Sequence, residues 1–177
     1  MTKRTEQPVQ NQAFIDGQNV YLATTTADQA WKIDLQRFRV YLREKYKVER
    51  AYYFIGATDE NHQNLYKMIQ EAGFILMFRK HSLEMVGHKK GNVDTDIVFE
   101  VMRKLADQEN FSKVVLVSGD GDYFKMVDYL INKNRLEKQL APSYRSMSSL
   151  YRQYVDRAYF DFLGAAGTKK KIALSQK

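Results

Sequence analysis

The chain has 177 residues, no cysteine, 44% hydrophobic content and a net charge of +7 with a pI near 9.4. That length supports one domain with a sizeable core, and the missing cysteine excludes disulfides, thiolate zinc sites and cysteine nucleophiles. No apolar run is long enough to span a membrane and residues 1–12 lack an apolar signal core, so a soluble cytoplasmic protein is expected. The positive charge favours an anionic partner, with nucleic acid first.

Residues 1–12 are polar and read as a disordered tail. Ala13–Asp16 is a short strand that opens into a turn at Asp16, and Thr24–Trp31 is polar and threonine-rich, as a loop would be. Asp34 can N-cap a helix whose apolar residues Leu35, Phe38, Leu42 and Tyr46 recur at helical spacing. Val48–Ile55 is a strand. Asp59–Ala72 is a second helix ended by Gly73, and Phe74–Phe78 is a third strand. A basic loop leads to a helix opening at Asp94, then to a strand of four aliphatic residues, Val114–Val117, and a helix over Asp122–Asn134. Leu136–Leu140 is a fifth strand, broken by Pro142, and Ser146–Leu163 is expected to form a final helix. Strands alternating with helices of this length require crossover connections and a parallel sheet. The expected fold is a three-layer α/β/α domain over residues 13–163 with a mostly parallel five-stranded sheet. Residues 164–177, with Lys169-Lys170-Lys171, read as a basic disordered tail.

The chemistry concentrates at strand and helix ends. Val114–Val117 empties into Ser118-Gly119-Asp120-Gly121-Asp122, two carboxylates one residue apart at the edge where open α/β sheets bind ligands. Asp16 ends the first strand. Ile97, Val98, Val101, Met102 and Leu105 follow Asp94 at helical intervals, so Asp94 shares the sheet-facing stripe while Asp96 and Glu100 are rotated away. If the first and fourth strands are neighbours, Asp16, Asp94, Asp120 and Asp122 share one crevice. Carboxylates about 4 Å apart repel by about 4 kcal/mol at an effective dielectric of 20. Several such pairs consume much of a typical stability of about 5–15 kcal/mol. Either some acids stay protonated or a hard dication sits among them, and all-oxygen ligation suits Mg²⁺ or Mn²⁺. Such a site activates water against a phosphodiester. Asp96 serves as a helix cap or an outer-shell group, while Asn19 and Ser118 either orient a ligand or tie off their turns.

The segments Phe14-Ile15-Asp16-Gly17-Gln18-Asn19, Lys90-Gly91-Asn92-Val93-Asp94-Thr95-Asp96 and Val117-Ser118-Gly119-Asp120-Gly121-Asp122-Tyr123-Phe124 occur in that order. With the closing stretch from Ser148 through Asp156 to Phe160, they make the chain resemble the NYN-domain family, in its LabA-like branch, within the PIN-like nucleases. The resemblance spans Ala13–Leu163. It implies a PIN-like (Rossmann-like) fold and metal-dependent endoribonuclease activity. It also implies that Asp16, Asp94, Asp120 and Asp122 are catalytic and metal-ligating, with Asn19 and Ser118 as polar companions. The chain departs from the family pattern at Lys125-Met126, where an apolar pair with proline is usual, and at Glu100, where aspartate is most frequent. A non-catalytic RNA-binding or regulatory module of the same fold is the alternative.

Arg79, Lys80, His88, Lys89 and Lys90 bracket the loop that leads into Asp94 and are the candidate phosphate contacts for RNA, with DNA also open. Tyr52, Tyr53, Phe54, Phe78 and Tyr123 could stack bases or fill the core. The three histidines lack paired helical spacing, which argues against a histidine zinc site. A homodimer is the default expectation for a soluble oligomer.

Overall fold

The computed structural model describes residues 9–26, 30–56, 60–79 and 93–175. Six strands form one sheet: β1 (Asn11–Asp16), β2 (Val48–Ile55), β3 (Ile75–Phe78), β4 (Val114–Val117), β5 (Leu136–Ala141) and β6 (Phe160–Phe162). Their spatial order is β3-β2-β1-β4-β5-β6 and every neighbouring pair is parallel. This is the doubly wound order, and its direction reverses between β1 and β4, which opens a crevice at their carboxyl ends.

Side-chain alternation divides the interior into two cores. Phe14 and Leu116 project to one face, where they pack with Ile97 and Val101 of α4 (Asp94–Ala106) and with Val127 and Leu130 of α5 (Phe124–Asn132). Ala13, Ile15, Val115 and Val117 project to the other. There they meet Val20 of α1 (Gly17–Thr25), Phe38 and Leu42 of α2 (Leu35–Tyr46) and Ile69 of α3 (Gln63–Glu71). Phe14, Ile15 and Val114–Val117 are fully buried, each side chain stabilising by about 1.5–3 kcal/mol. The expected three layers are present.

The sheet has six strands where five were expected, because Ser146–Leu163 is not one helix. Ser148 caps a short α6 (Ser149–Tyr154), Val155 turns extended, and Asp156 accepts from Ala158 N at 2.7 Å to open a 3₁₀ turn over Arg157–Tyr159. Phe160 then enters the core and its strand pairs with β5. Two further differences lie near the chain ends. The first strand begins at Asn11, whose side-chain amide donates to Tyr46 O at 2.7 Å. The segment expected as a disordered basic tail holds α7 (Ala166–Ile172). Ile172 is fully buried, its carbonyl accepts from Asp34 N at 2.8 Å, and Ala173 bridges to Ile33.

Helix α1 had no periodic signal in the sequence. Its C-terminal threonines bond back to the preceding turn, Thr24 to Val20 O at 2.9 Å and Thr25 to Tyr21 O at 2.7 Å, and β-branched residues are weak helix formers. Burial of Val20 and Thr24 against the sheet decides the outcome, as tertiary packing commonly does for short helices.

Candidate metal centre

The crevice at the switch point encloses about 260 Å³ and is lined by Asp16, Gln18, Asn19, Leu22, Val93, Asp94 and Asp120. Each acid is placed by a distinct local device. Asp16 closes β1 and N-caps α1, accepting from Asn19 N at 2.9 Å. Its neighbour Gly17 is required by space: a Cβ there would run into the Tyr53 ring and lie 2.8 Å from Phe54 O. Asp94 opens α4 on the sheet-facing side and is 7% exposed, whereas Asp96 is partly exposed. Asp120 ends the β4 turn and accepts from Asp122 N at 3.1 Å, which starts the 3₁₀ turn over Gly121–Tyr123.

The β4 turn is fixed from several sides. Ser118 Oγ accepts from Asp120 N at 3.1 Å and Asn19 Oδ1 accepts from Gly119 N at 3.1 Å. Gln139 donates to Ser118 O at 3.0 Å, and the Tyr151 hydroxyl donates to Asp120 O at 2.6 Å. Asn19 and Ser118 therefore both tie off turns, and Asn19 links the ends of β1 and β4. Gly119 is a close-approach position, since a Cβ would lie 2.7 Å from Ser146 O.

Among the described residues, Asp94, Asp120 and Asp122 each offer a carboxylate oxygen within 4.8 Å of the others. Asp16 lies in the same crevice but joins them through a tyrosine. The Tyr123 hydroxyl is 2.6 Å from Asp94 Oδ1 and 3.1 Å from Asp16 Oδ2. It carries one proton, so it donates to one carboxylate at a time, and the shorter contact favours Asp94. Burial is the main cause that raises the Asp16 carboxyl above its ordinary value; the charges of Asp94 and Asp120 add to it, against hydrogen bonds from Asn19 and Tyr123. Burial and the two carboxylates push the Tyr123 phenol strongly upward, so it stays a donor. The Tyr53 phenol, buried near Asp16, is pushed up to about 12.

The donor set fits a hard dication. Oxygens around one Mg²⁺ at about 2.1 Å are no more than about 4.2 Å apart, a span comparable with the 4.8 Å within which these three acids gather, and the exposed Asp122 has room to adjust. Carboxylates without sulfur or imidazole suit Mg²⁺ or Mn²⁺.

The other predicted residues separate. Asp96 Oδ2 lies 3.9 Å from Arg79 Nε, outside the three-acid group. Glu100 belongs to an ion-pair network with Arg103 at 2.8 Å and Lys104 at 3.7 Å. Of the basic loop candidates, Lys80, His88, Lys89 and Lys90 lie outside the described residues. Tyr52, Tyr53, Phe54 and Tyr123 are core residues, and Phe78 packs edge-on against Tyr66 at 5.0 Å. The sequence reading did not assign Tyr123 to the acids. Its signal was position: a tyrosine directly after Asp122, in a turn opening a helix on the Asp94 side of the sheet, brings a hydroxyl to the buried acids Asp16 and Asp94.

Comparison with known proteins agrees with this architecture. A crystal structure of a protein of unknown function from Vibrio parahaemolyticus superposes with a TM-score of 0.71, covering 94% of this chain and 97% of that one. The two are 22% identical, a likeness that speaks for the fold alone. The low amplitude and bright protein LabA of Synechococcus elongatus is 26% identical over 126 residues, which cover 66% of this chain and 65% of that protein. The match thus spans about two thirds of its relative's length. The sequence model of the NYN domain matches residues 12–161. With the sheet order, the acidic crevice and that match in agreement, the chain belongs to the NYN domain family, as a LabA-like protein.

Proposed function

We propose that the protein is a metal-dependent endoribonuclease of the PIN-like class, hydrolysing RNA phosphodiesters at the β1/β4 crevice. The observation that carries this reading is the approach of Asp94, at the start of α4, to within 4.8 Å of Asp120 and Asp122 in the β4 turn at the switch point. Asp94, Asp120 and Asp122 hold Mg²⁺ or Mn²⁺, with Asp16 completing the acidic wall behind Tyr123. The chemistry such a dication supplies is polarisation of a phosphodiester oxygen and activation of water. The chain's own residues set the stage for it. Tyr123 holds Asp94 against Asp16, Ser118 shapes the turn that presents Asp120, and Asn19 ties that turn to α1. Arg79, Lys80, His88, Lys89 and Lys90 grip the phosphates flanking the scissile bond, and Asp96 orients Arg79. The protein works in the cytoplasm, and no helix among the described residues is long and apolar enough to cross a membrane.

The test is a metal-dependence series on a panel of labelled RNAs, run beside Asp120→Asn purified identically. Cleavage that requires Mg²⁺ or Mn²⁺ and disappears in the variant supports the reading. Cleavage by Asp120→Asn at the wild-type rate would remove the assigned chemistry. Metal binding without cleavage would make the protein a non-catalytic RNA-binding or regulatory module.

A further inference from the structure

We infer that the connection from β5 to the end of α6, residues 143–154, is a stacking track for single-stranded nucleic acid. Tyr144 and Tyr154 present the ring faces, and Arg152 meets the phosphate. This rests on the reading of the acidic crevice as an RNA-cleaving site, and it assigns the strand leaving that crevice its path.

Position is the first observation. Ser148 N donates to Gly119 O at 2.9 Å and the Tyr151 hydroxyl donates to Asp120 O at 2.6 Å, so the connection is bonded to the turn that carries Asp120. Buried Met147 and Tyr151 anchor it from beneath. The segment is thus held against the turn that presents Asp120.

Exposure is the second. On this anchored segment Tyr154 is 70% exposed and Tyr144 is 62% exposed. Both rings are nevertheless braced by a neighbouring ring. Tyr154 meets Phe124 with centroids 6.1 Å apart at 63°, and Tyr144 meets Phe162 at 5.8 Å and 67°. One roughly perpendicular ring contact braces each tyrosine while most of its surface stays exposed to another flat group, so less side-chain freedom remains to be lost on stacking. Arg152 lies 4.9 Å above the Tyr144 ring while its Nη1 donates to the Tyr144 and Met147 carbonyls at 3.0 and 2.6 Å. The guanidinium is thereby held rigid next to an aromatic platform, an arrangement that suits a nucleotide's phosphate and base together.

Charge is the third. Residues 143–157 contain Arg145, Arg152 and Arg157 against the single acid Asp156. Arg157 is held by Asp161 at 3.6 Å and by the rings of Phe160 and Phe162, while Arg152 stands beside the Tyr144 ring. A polyanion approaching a cluster of carboxylates needs such cations at its flank. Base pairing hides the faces these rings would engage, so the favoured occupant is an unpaired strand.

The test measures binding of a labelled single-stranded RNA, its duplex form and the same strand with abasic positions, all in the Asp120→Asn background so that the strand stays intact. Tyr144→Ala and Tyr154→Ala should each weaken single-strand binding by about 5- to 150-fold, with little effect on duplex, and Tyr→Phe at either position should restore it. The parent should bind the abasic strand more weakly than the intact one, a comparison that needs no aromatic substitution and survives any folding defect in the alanine variants. If wild type cleaves RNA with metal but both alanine variants bind within about twofold of the parent, or the parent ignores the missing bases, the track is wrong and the nuclease reading stands. If wild type neither binds nor cleaves RNA, both fall.

Discussion

Asp120→Asn separates charge from shape at the acidic crevice. Asp120 Oδ1 accepts from Asp122 N at 3.1 Å, and an asparagine carbonyl can take the same capping bond, so the substitution removes a negative charge and little else. Two unit charges at the 4.8 Å limit of the group repel by about 3.5 kcal/mol at an effective dielectric of 20. The pair with buried Asp94 carries most of this, because exposed Asp122 is screened by water. Side-chain adjustment relieves part of the strain in wild type, leaving a net gain of about 1–2 kcal/mol and a melting temperature higher by about 2–8 °C for a chain of this size. The assay is thermal unfolding in EDTA and again in Mn²⁺. Wild type should rise on adding Mn²⁺, since a ligand that binds only the native state stabilises it, and the variant should barely respond. A variant that melts below wild type in EDTA, or that gains as much from Mn²⁺, refutes the reasoning.

Other substitutions probe the supports of the site. Tyr123→Phe removes the hydroxyl shared by Asp94 and Asp16, which should cost about 1.5–3 kcal/mol in urea unfolding and move the Asp16 carboxyl further upward in an NMR titration; an unmoved titration would deny the bridge. Asp16 titrates above its unfolded value of 3.8, so the native state holds this proton more tightly than the unfolded chain does. Its contribution to stability therefore falls as pH rises from 3.8 through the native pKa, and returns as pH descends through that window. In metal-free protein, the advantage of Asp16→Asn over wild type should grow from about pH 4 toward neutrality, and a difference independent of pH would contradict the raised carboxyl. Gly17→Ala forces a Cβ against the Tyr53 ring and to 2.8 Å from Phe54 O, and should destabilise by about 1–3 kcal/mol, read as a lower melting temperature. A neutral result would mean the α1–β2 approach is looser than described.

Elements with a strong period or a continuous aliphatic run were legible in the sequence. Val114–Val117 announces a buried central strand, and the spacing of Ile97, Val101 and Leu105 after Asp94 places that acid on the sheet-facing side, where it is buried. Helix α1 was hidden because its threonines satisfy themselves by local back-bonds and its packing is tertiary. The break in Ser146–Leu163 was hidden because Val155 leaves the helix to let Phe160 reach the core, a gain that only the folded sheet provides. At the site, convergence of Asp94, Asp120 and Asp122 followed from strand order, which sequence pattern constrains. The position of Asp16 behind Tyr123 did not, because it depends on which way one buried hydroxyl points.

If Asp94 and the Asp120/Asp122 turn hold a hard dication, it sits in the β1/β4 crevice. Crystals grown or soaked with Mn²⁺ and measured at its absorption edge test this directly. The expected result is an anomalous peak about 2.1 Å from oxygens of Asp94, Asp120 and Asp122. A crevice without manganese at saturating concentration, or a peak bound elsewhere on the surface, would contradict it.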